Sequence, residues 1–155
     1  MGRIRGGSNG STVAMVAQEL GKMDDPATQE LVGEARMFEL VAEQIHLRVG
    51  DSIRTGRRSD QAAAIGRLFH GMATSRAATI GLEVAGTSGA AWTGDGEAAA
   101  AAVNFLMRQV GSIGGGTTEM ARNVISERVL GMPRERTLDR DVPFRDVPRS
   151  RPSTQ

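Results

Sequence analysis

Apolar residues recur at spacings of three and four along most of this 155-residue chain, with polar and charged positions between them. That period is helical, and it separates the chain into five segments. The run "STVAMVAQELGKM" carries Val13, Val16 and Leu20 on one side, with Ser11 or Thr12 as the N-cap. It is short for a bundle helix. A far longer pattern opens with Asp25 as N-cap and Pro26 at the first helical position, where a missing N–H costs nothing. Leu31, Ala35, Phe38, Ala42, Ile45 and Val49 then form one stripe along roughly 45 Å of helix, which Gly56 ends.

A second long pattern starts at Asp60 and stops at Gly86, with Ile65, Leu68, Phe69, Met72, Ile80 and Val84 on one side. The short link between the two long helices predicts an antiparallel hairpin. After the linker "TSGAAWTGDG", which holds Trp92, comes "EAAAAAVNFLMRQV" with Val103, Leu106 and Val110 in line. The glycines Gly114 to Gly116 follow. A last helix runs from Thr117 or Thr118 to Leu130, with Met120, Val124 and Ile125 as its buried set, and Gly131 and Pro133 stop it. The expected organisation is a polar, Gly-rich lead-in over residues 1–10, a helical bundle over 11–133 and a charged, Pro-punctuated extended tail over 134–155.

Composition supports helices and narrows the chemistry. Four Phe, one Trp and no Tyr leave Ala, Leu, Val, Ile and Met to build the core, a mixture suited to helix packing, so the fold class is all-α. With no Cys and only His46 and His70, a metal site is not expected. Neither histidine has an acidic partner at ligand-like spacing. A net charge of +1 with dispersed arginines argues against nucleic acid, and no segment approaches the ~20 apolar residues of a membrane span. The expected location is the cytoplasm. Met72, Met107 and Met120 are read as core filling, and Arg122 and Arg128 as surface partners of Glu119 and Glu127.

The run "GSIGGGTTEMARN" draws attention because glycines ahead of a helix expose main-chain N–H groups to an anion. It is not a P-loop, since no lysine follows the second glycine, and the preceding residues are helical, which excludes the strand-turn-helix of a dinucleotide fingerprint. By itself it reads equally as a hinge whose threonine caps the last helix.

The longer run "GSIGGGTTEMARNVISERVLGMPRE" resembles the end of the C-terminal helical domain of flavin-dependent acyl-CoA dehydrogenases, where Gly-Thr-x-Glu/Gln precedes an Arg-rich helix and a Gly-x-Pro stop. "GLEVAGTSGAAW" and "DDPATQELVGEARMFEL" are similar to the family as well, so the resemblance covers about residues 11 to 145. It implies an up-and-down bundle resembling that family's C-terminal four-helix domain, with a truncated first helix and without the family's N-terminal and middle domains. FAD would be the cofactor and an acyl-CoA thioester the substrate. Family subunits would form a homo- or hetero-oligomer with the cofactor between them.

Carried over residue by residue, the resemblance makes Gly116, Thr117 and Glu119 cofactor contacts. Glu83, Gly86 and Gly89 match the upstream turn that reaches a neighbouring subunit's cofactor, although Glu83 replaces the customary glutamine and Thr87 a glycine. Gly115 stands where many members carry the glutamate that removes the substrate's α-proton, and glycine cannot act as a base. Glu119 matches a contact position and not the base. The expectation is therefore a contribution to α,β-dehydrogenation of acyl-CoA in a complete enzyme, the isolated chain being inactive. The alternative is a non-catalytic helical partner subunit or an inactive fragment.

Overall fold

The computed structural model describes residues 9–91, 95–134 and 142–147, and among these it is helical with no strand. The α-helices are α1 (Asn9–Glu19), α2 (Pro26–Arg54), α3 (Ala63–Ala85), α4 (Thr87–Ala90), α5 (Glu97–Leu106) and α6 (Thr118–Val124). Trp92, most of the lead-in and most of the tail lie outside the described residues; within the tail, Phe144–Asp146 form a 3-10 turn.

The start of α2 follows its sequence signal. Asp25 takes an extended conformation and its Oδ2 accepts from the Thr28 main-chain N–H at 2.9 Å and from the Thr28 hydroxyl at 2.7 Å. Those two bonds, hydroxyl first, hold the Asp25 carboxyl below its ordinary value. At the other end the chain leaves α2 through Gly56 at φ +71°, a left-handed turn that suits glycine. A 3-10 turn, Asp60–Ala62, then leads into α3.

The α2–α3 hairpin is antiparallel, as cross-helix pairs show: Phe38 meets Phe69 with ring centroids 6.1 Å apart, while Glu34 and Arg76 meet further along. Helix α5 runs back along α3, with Ala101 beside Gly81 of α3 and Ala98 beside Gly89 of α4. Helix α1 packs on α2, α3 and α5, so these four make the bundle and α3 is its central member. The core joins Val13, Val16 and Ala17 of α1, Ala35 of α2, Ile80, Val84 and Ala85 of α3, and Ala98 and Ala101 of α5. Most of these residues are small, which lets the helix axes approach closely.

Helix α1 has 11 residues against 29 in α2, roughly 16 Å against 43 Å, so it covers only the first part of the hairpin. Beyond it the expected stripe of α2 is only half-buried, and Met37, Leu40, Val41 and Leu47 are exposed.

Several expectations need correction. Met72, Met107 and Met120 do not fill the core; they are 52%, 56% and 55% exposed. Met72 lies on the face of α3 away from its neighbours, and the other two sit where the chain has left the four-helix contact. Helix α5 ends at Leu106, and Leu106 and Val110 are exposed, because the chain turns through a 3-10 segment at Val110–Ser112 to meet α3. The linker contains the one-turn helix α4. The last helix becomes a π-turn over Ile125–Val129. Arg122 lies 3.6 Å from Glu119, but Glu127 pairs with Arg134 at 3.0 Å instead of Arg128.

Arg76 forms a two-point pair with Glu34, Nε to Oε1 at 2.7 Å and Nη2 to Oε2 at 2.8 Å, tying α3 to α2. This pairing lowers the Glu34 carboxyl below its ordinary 4.5 and raises Arg76. A carboxylate with a depressed folded-state pKa contributes stability above its unfolded value and loses it as pH falls through the folded value. The thermal midpoint of Glu34→Gln is therefore expected to fall less on acidification below about pH 4.5 than that of the unmodified chain. Midpoints measured from pH 6 to about pH 3 check this; parallel curves would remove Glu34 from the acid response. Both side chains are about one-third exposed, so the neutral-pH difference should stay within ~1 kcal/mol.

Candidate functional site

The glycine loop is pressed against the first half of α3. Gly71 of α3 is buried, and a Cβ there would lie 3.2 Å from Thr118 Cγ2 and 3.3 Å from the Gly111 carbonyl. Gly111 in turn would bring a Cβ to 3.0 Å from Thr74 Oγ1. Close approach on both sides thus seats the segment that leads into α6. The loop proper turns at Gly115 (φ +73°) and Gly116 (φ +109°), conformations that L side chains rarely adopt.

Thr117 follows in an extended conformation as the N-cap of α6, its hydroxyl accepting from the Met120 N–H at 3.2 Å. Glu119 folds back over the same turn. Its carboxyl lies below its ordinary value because it accepts first from its own main-chain N–H and then from the Thr117 and Thr118 hydroxyls, with Arg122 adding a smaller effect. A general base for a weakly acidic carbon needs a pKa raised toward working pH. Glu119 is tuned in the opposite direction. Gly115 offers no side chain, so segment 113–119 holds backbone, hydroxyls and a carboxylate lowered in pKa, and no poised base.

The upstream candidates sit at the far end of α3. Gly86 ends the helix at φ +57°, ψ −135°, and Gly89 is buried inside α4. At Gly89 a Cβ would lie 2.8 Å from Ala85 Cβ, 3.0 Å from Leu82 Cδ1 and 3.3 Å from the Ala98 carbonyl. The position therefore demands glycine for packing alone. Gly89→Ala is expected to lower stability by about 1–3 kcal/mol through overpacking, readable as a lower urea midpoint; an unchanged midpoint would mean that α4 shifts freely. The Glu83 carboxylate takes a hydrogen bond from Arg76 Nη1 at 3.2 Å, so its charge is partly offset within the chain.

Arg67, which contacts the glycine loop, and Gly86 are separated by about 28 Å of helix at ~1.5 Å per residue. The structure thus brings Gly115, Gly116, Thr117 and Glu119 together, and Glu83, Gly86 and Gly89 together, as two separate clusters. No single small group can touch both in one chain.

The sequence reading passed over two cations at these clusters. Lys22, the only lysine of the chain, donates from Nζ to the Val84 carbonyl at 2.6 Å in the last turn of α3 and would lie 3.6 Å from a Cβ at Gly86. A cation there suits the carbonyl end of a helix. Arg67 donates from Nη1 to the carbonyls of Gly116 at 2.7 Å and Gly114 at 3.3 Å. Their partners lie 47 to 62 residues away in sequence, so no local pattern announces either contact. His46 and His70 are exposed, and among the described residues no group of His, Asp and Glu could hold a metal ion. No described helix is long and apolar enough to cross a membrane.

The described residues thus form an all-α bundle with a glycine loop packed against the first half of its central helix and a glycine turn ending that helix. The family model of the acyl-CoA dehydrogenase C-terminal domain matches residues 6–130, and the chain belongs to that family. Neither the curated proteins nor the solved structures yield a match.

Proposed function

We propose that the chain serves as the C-terminal helical domain of a flavoprotein acyl-CoA dehydrogenase, supplying FAD contacts and an oligomer interface for α,β-dehydrogenation of acyl-CoA thioesters. The observation that carries this reading is the loop at 114–117: two successive glycines with positive φ and no side chains, then a threonine hydroxyl at a helix start, in a chain of this family. Such a cradle fits the polar groups of FAD, because main chain can approach the ligand and Thr117 keeps a lone pair beyond its capping bond that can accept from a ribose hydroxyl. When bound, FAD supplies the ring that accepts hydride. Gly116, Thr117 and Glu119 would hold the cofactor from one end, and Glu83, Gly86 and Gly89 would serve a neighbouring subunit's cofactor from the other.

The separation of the two clusters supports an assembly of subunits, as does the exposed apolar surface. Met37, Leu40, Val41 and Leu47 on α2, with Leu106, Met107, Val110 and Ile113 beyond α5, offer contact area for other subunits. The expected cofactor is FAD, the substrate class acyl-CoA, and the proton acceptor a carboxylate supplied from outside segment 113–119.

A second reading, a partner subunit without catalysis of its own, is favoured by one observation: glycine stands at 115, with a backbone shaped for glycine. Anaerobic addition of acyl-CoA to the chain co-purified with a full-length family member separates the two. Flavin bleaching in proportion to this chain's own cofactor supports the enzyme reading. Bleaching of only the full-length subunit's share supports the partner reading, and absence of any complex with the family member opposes both.

A further inference from the structure

We infer that Arg67 is a positioning residue that clamps the glycine loop in a single conformation. Three consecutive glycines lose more conformational freedom on ordering than any other tripeptide, so a fixed loop of this composition needs an external restraint. Threonine capping acts only after the loop, at Thr117. Inside it, the main-chain bonds Gly114 N–H to Val110 O at 3.0 Å and Gly116 N–H to Ile113 O at 3.0 Å draw the donors back toward α5. The carbonyls of Gly114 and Gly116 are taken by Arg67, half-buried on α3, whose guanidinium reaches both from one nitrogen at 3.3 and 2.7 Å.

The guanidinium lies against the glycine face of the loop. A Cβ at Gly115 would sit 3.4 Å from Nη1, and one at Gly116 would sit 3.0 Å from Nη2. At Gly116 the absence of a side chain thus leaves room for the cation against the backbone, while a Cβ at Gly115 would be in ordinary contact with it. Hydrogen bonds from a charged donor are stronger than neutral ones, and a single Nη1 carries two hydrogens, one for each carbonyl. None of the ion pairs among the described residues uses Arg67, so its donors are committed to the loop and not to a carboxylate. The same geometry sets a positive charge beside Gly115, where a carboxylate base would stand, and makes this end of α3 favourable to an anion. The clamp rests on the loop geometry alone; its consequence for FAD rests on the reading proposed above.

Hydrogen–deuterium exchange of the full 155-residue chain, compared with Arg67→Met and Arg67→Lys, tests the clamp. Met keeps the stem and loses the donors, so segment 113–119 is expected to exchange about tenfold faster, equivalent to one charged hydrogen bond, while segment 98–106 keeps its protection. Lys, which restores a charged donor, should recover most of the protection. Unchanged exchange at 113–119 in Arg67→Met overturns the inference. So does an equal rise across the whole chain, which would make Arg67 an ordinary stabilising residue, or a failure of Lys to rescue. FAD retention by the chain co-purified with a full-length family member gives the second readout. Loss in Arg67→Met with recovery in Arg67→Lys extends the clamp to the cofactor, whereas faster loop exchange with full FAD retention leaves the clamp standing and contradicts the flavin role of the loop.

Discussion

Gly116→Val is expected to reduce FAD retention by the assembled protein at least tenfold while leaving the helical content of the chain unchanged. The residue sits at φ +109°, where a β-branched side chain is a genuine outlier. Strain of this type costs on the order of 1–3 kcal/mol at a single position. A valine Cβ would also meet Arg67 Nη2 at 3.0 Å, so the loop would give up the clamp to relieve the clash. The cost falls on a surface loop and not on the core of Val16, Ile80 and Val84, which explains why fold and ligand retention should separate. Thr117→Ala removes the cap bond to Met120 and the hydroxyl proposed to meet the cofactor, and should act in the same direction with a smaller effect, a cap being worth ~1 kcal/mol. Flavin absorbance per chain after gel filtration, beside circular dichroism, measures both. Full retention in Gly116→Val would remove the loop from the site.

Ile80→Ala should be the most damaging change in the core. Ile80 is fully buried, and it is the largest of the side chains sealed between α1, α2, α3 and α5. Its neighbours are mostly valine and alanine on stiff helices, so they have little reach to fill the space left behind. Large-to-small changes of this kind cost about 2–5 kcal/mol, a large part of the ~5–15 kcal/mol that holds an ordinary domain together. A fall in the thermal midpoint of roughly 10 °C is expected for a chain of this size. Leu47→Ala, on the exposed second half of α2, should change the midpoint of the isolated chain by only ~1–2 °C. If the two variants matched, the core would not lie where α1 closes the hairpin.

The contrast between those residues also marks what the sequence could convey. Local chemistry was legible: Asp25, Pro26 and Gly56 bound α2, and Gly86 ends α3, because caps and positive-φ turns depend on neighbouring residues only. Periodicity located the helices and the hairpin but not which helix shields which stripe. Met72, Met107 and Met120 have helical spacing, yet spacing does not reveal which face another helix covers or where the chain leaves the bundle. The candidate site was legible in the same way. The loop at Gly114 to Thr117 has a local signature, whereas the Arg67 clamp and the Lys22 contact arise from packing between distant segments. The about 28 Å between the two clusters follows from their attachment to one helix, α3, through Arg67 at one end and Gly86 at the other. Gly89, marked in sequence as a ligand contact, has a sufficient packing reason in its contacts with Ala85, Leu82 and Ala98.

The central claim is that this chain contributes a flavin-binding surface that is completed by other subunits or domains of its family. The direct measurement is the FAD-to-chain ratio, from the visible flavin spectrum, for the chain purified alone, for the chain co-purified with a full-length family member, and for the Thr117→Ala form of that assembly. The account predicts little flavin alone, flavin retained in excess of the full-length subunit's own share in the assembly, and loss of that excess in Thr117→Ala. An assembly that forms and holds no flavin beyond the full-length subunit's share, whatever stands at position 117, would contradict it.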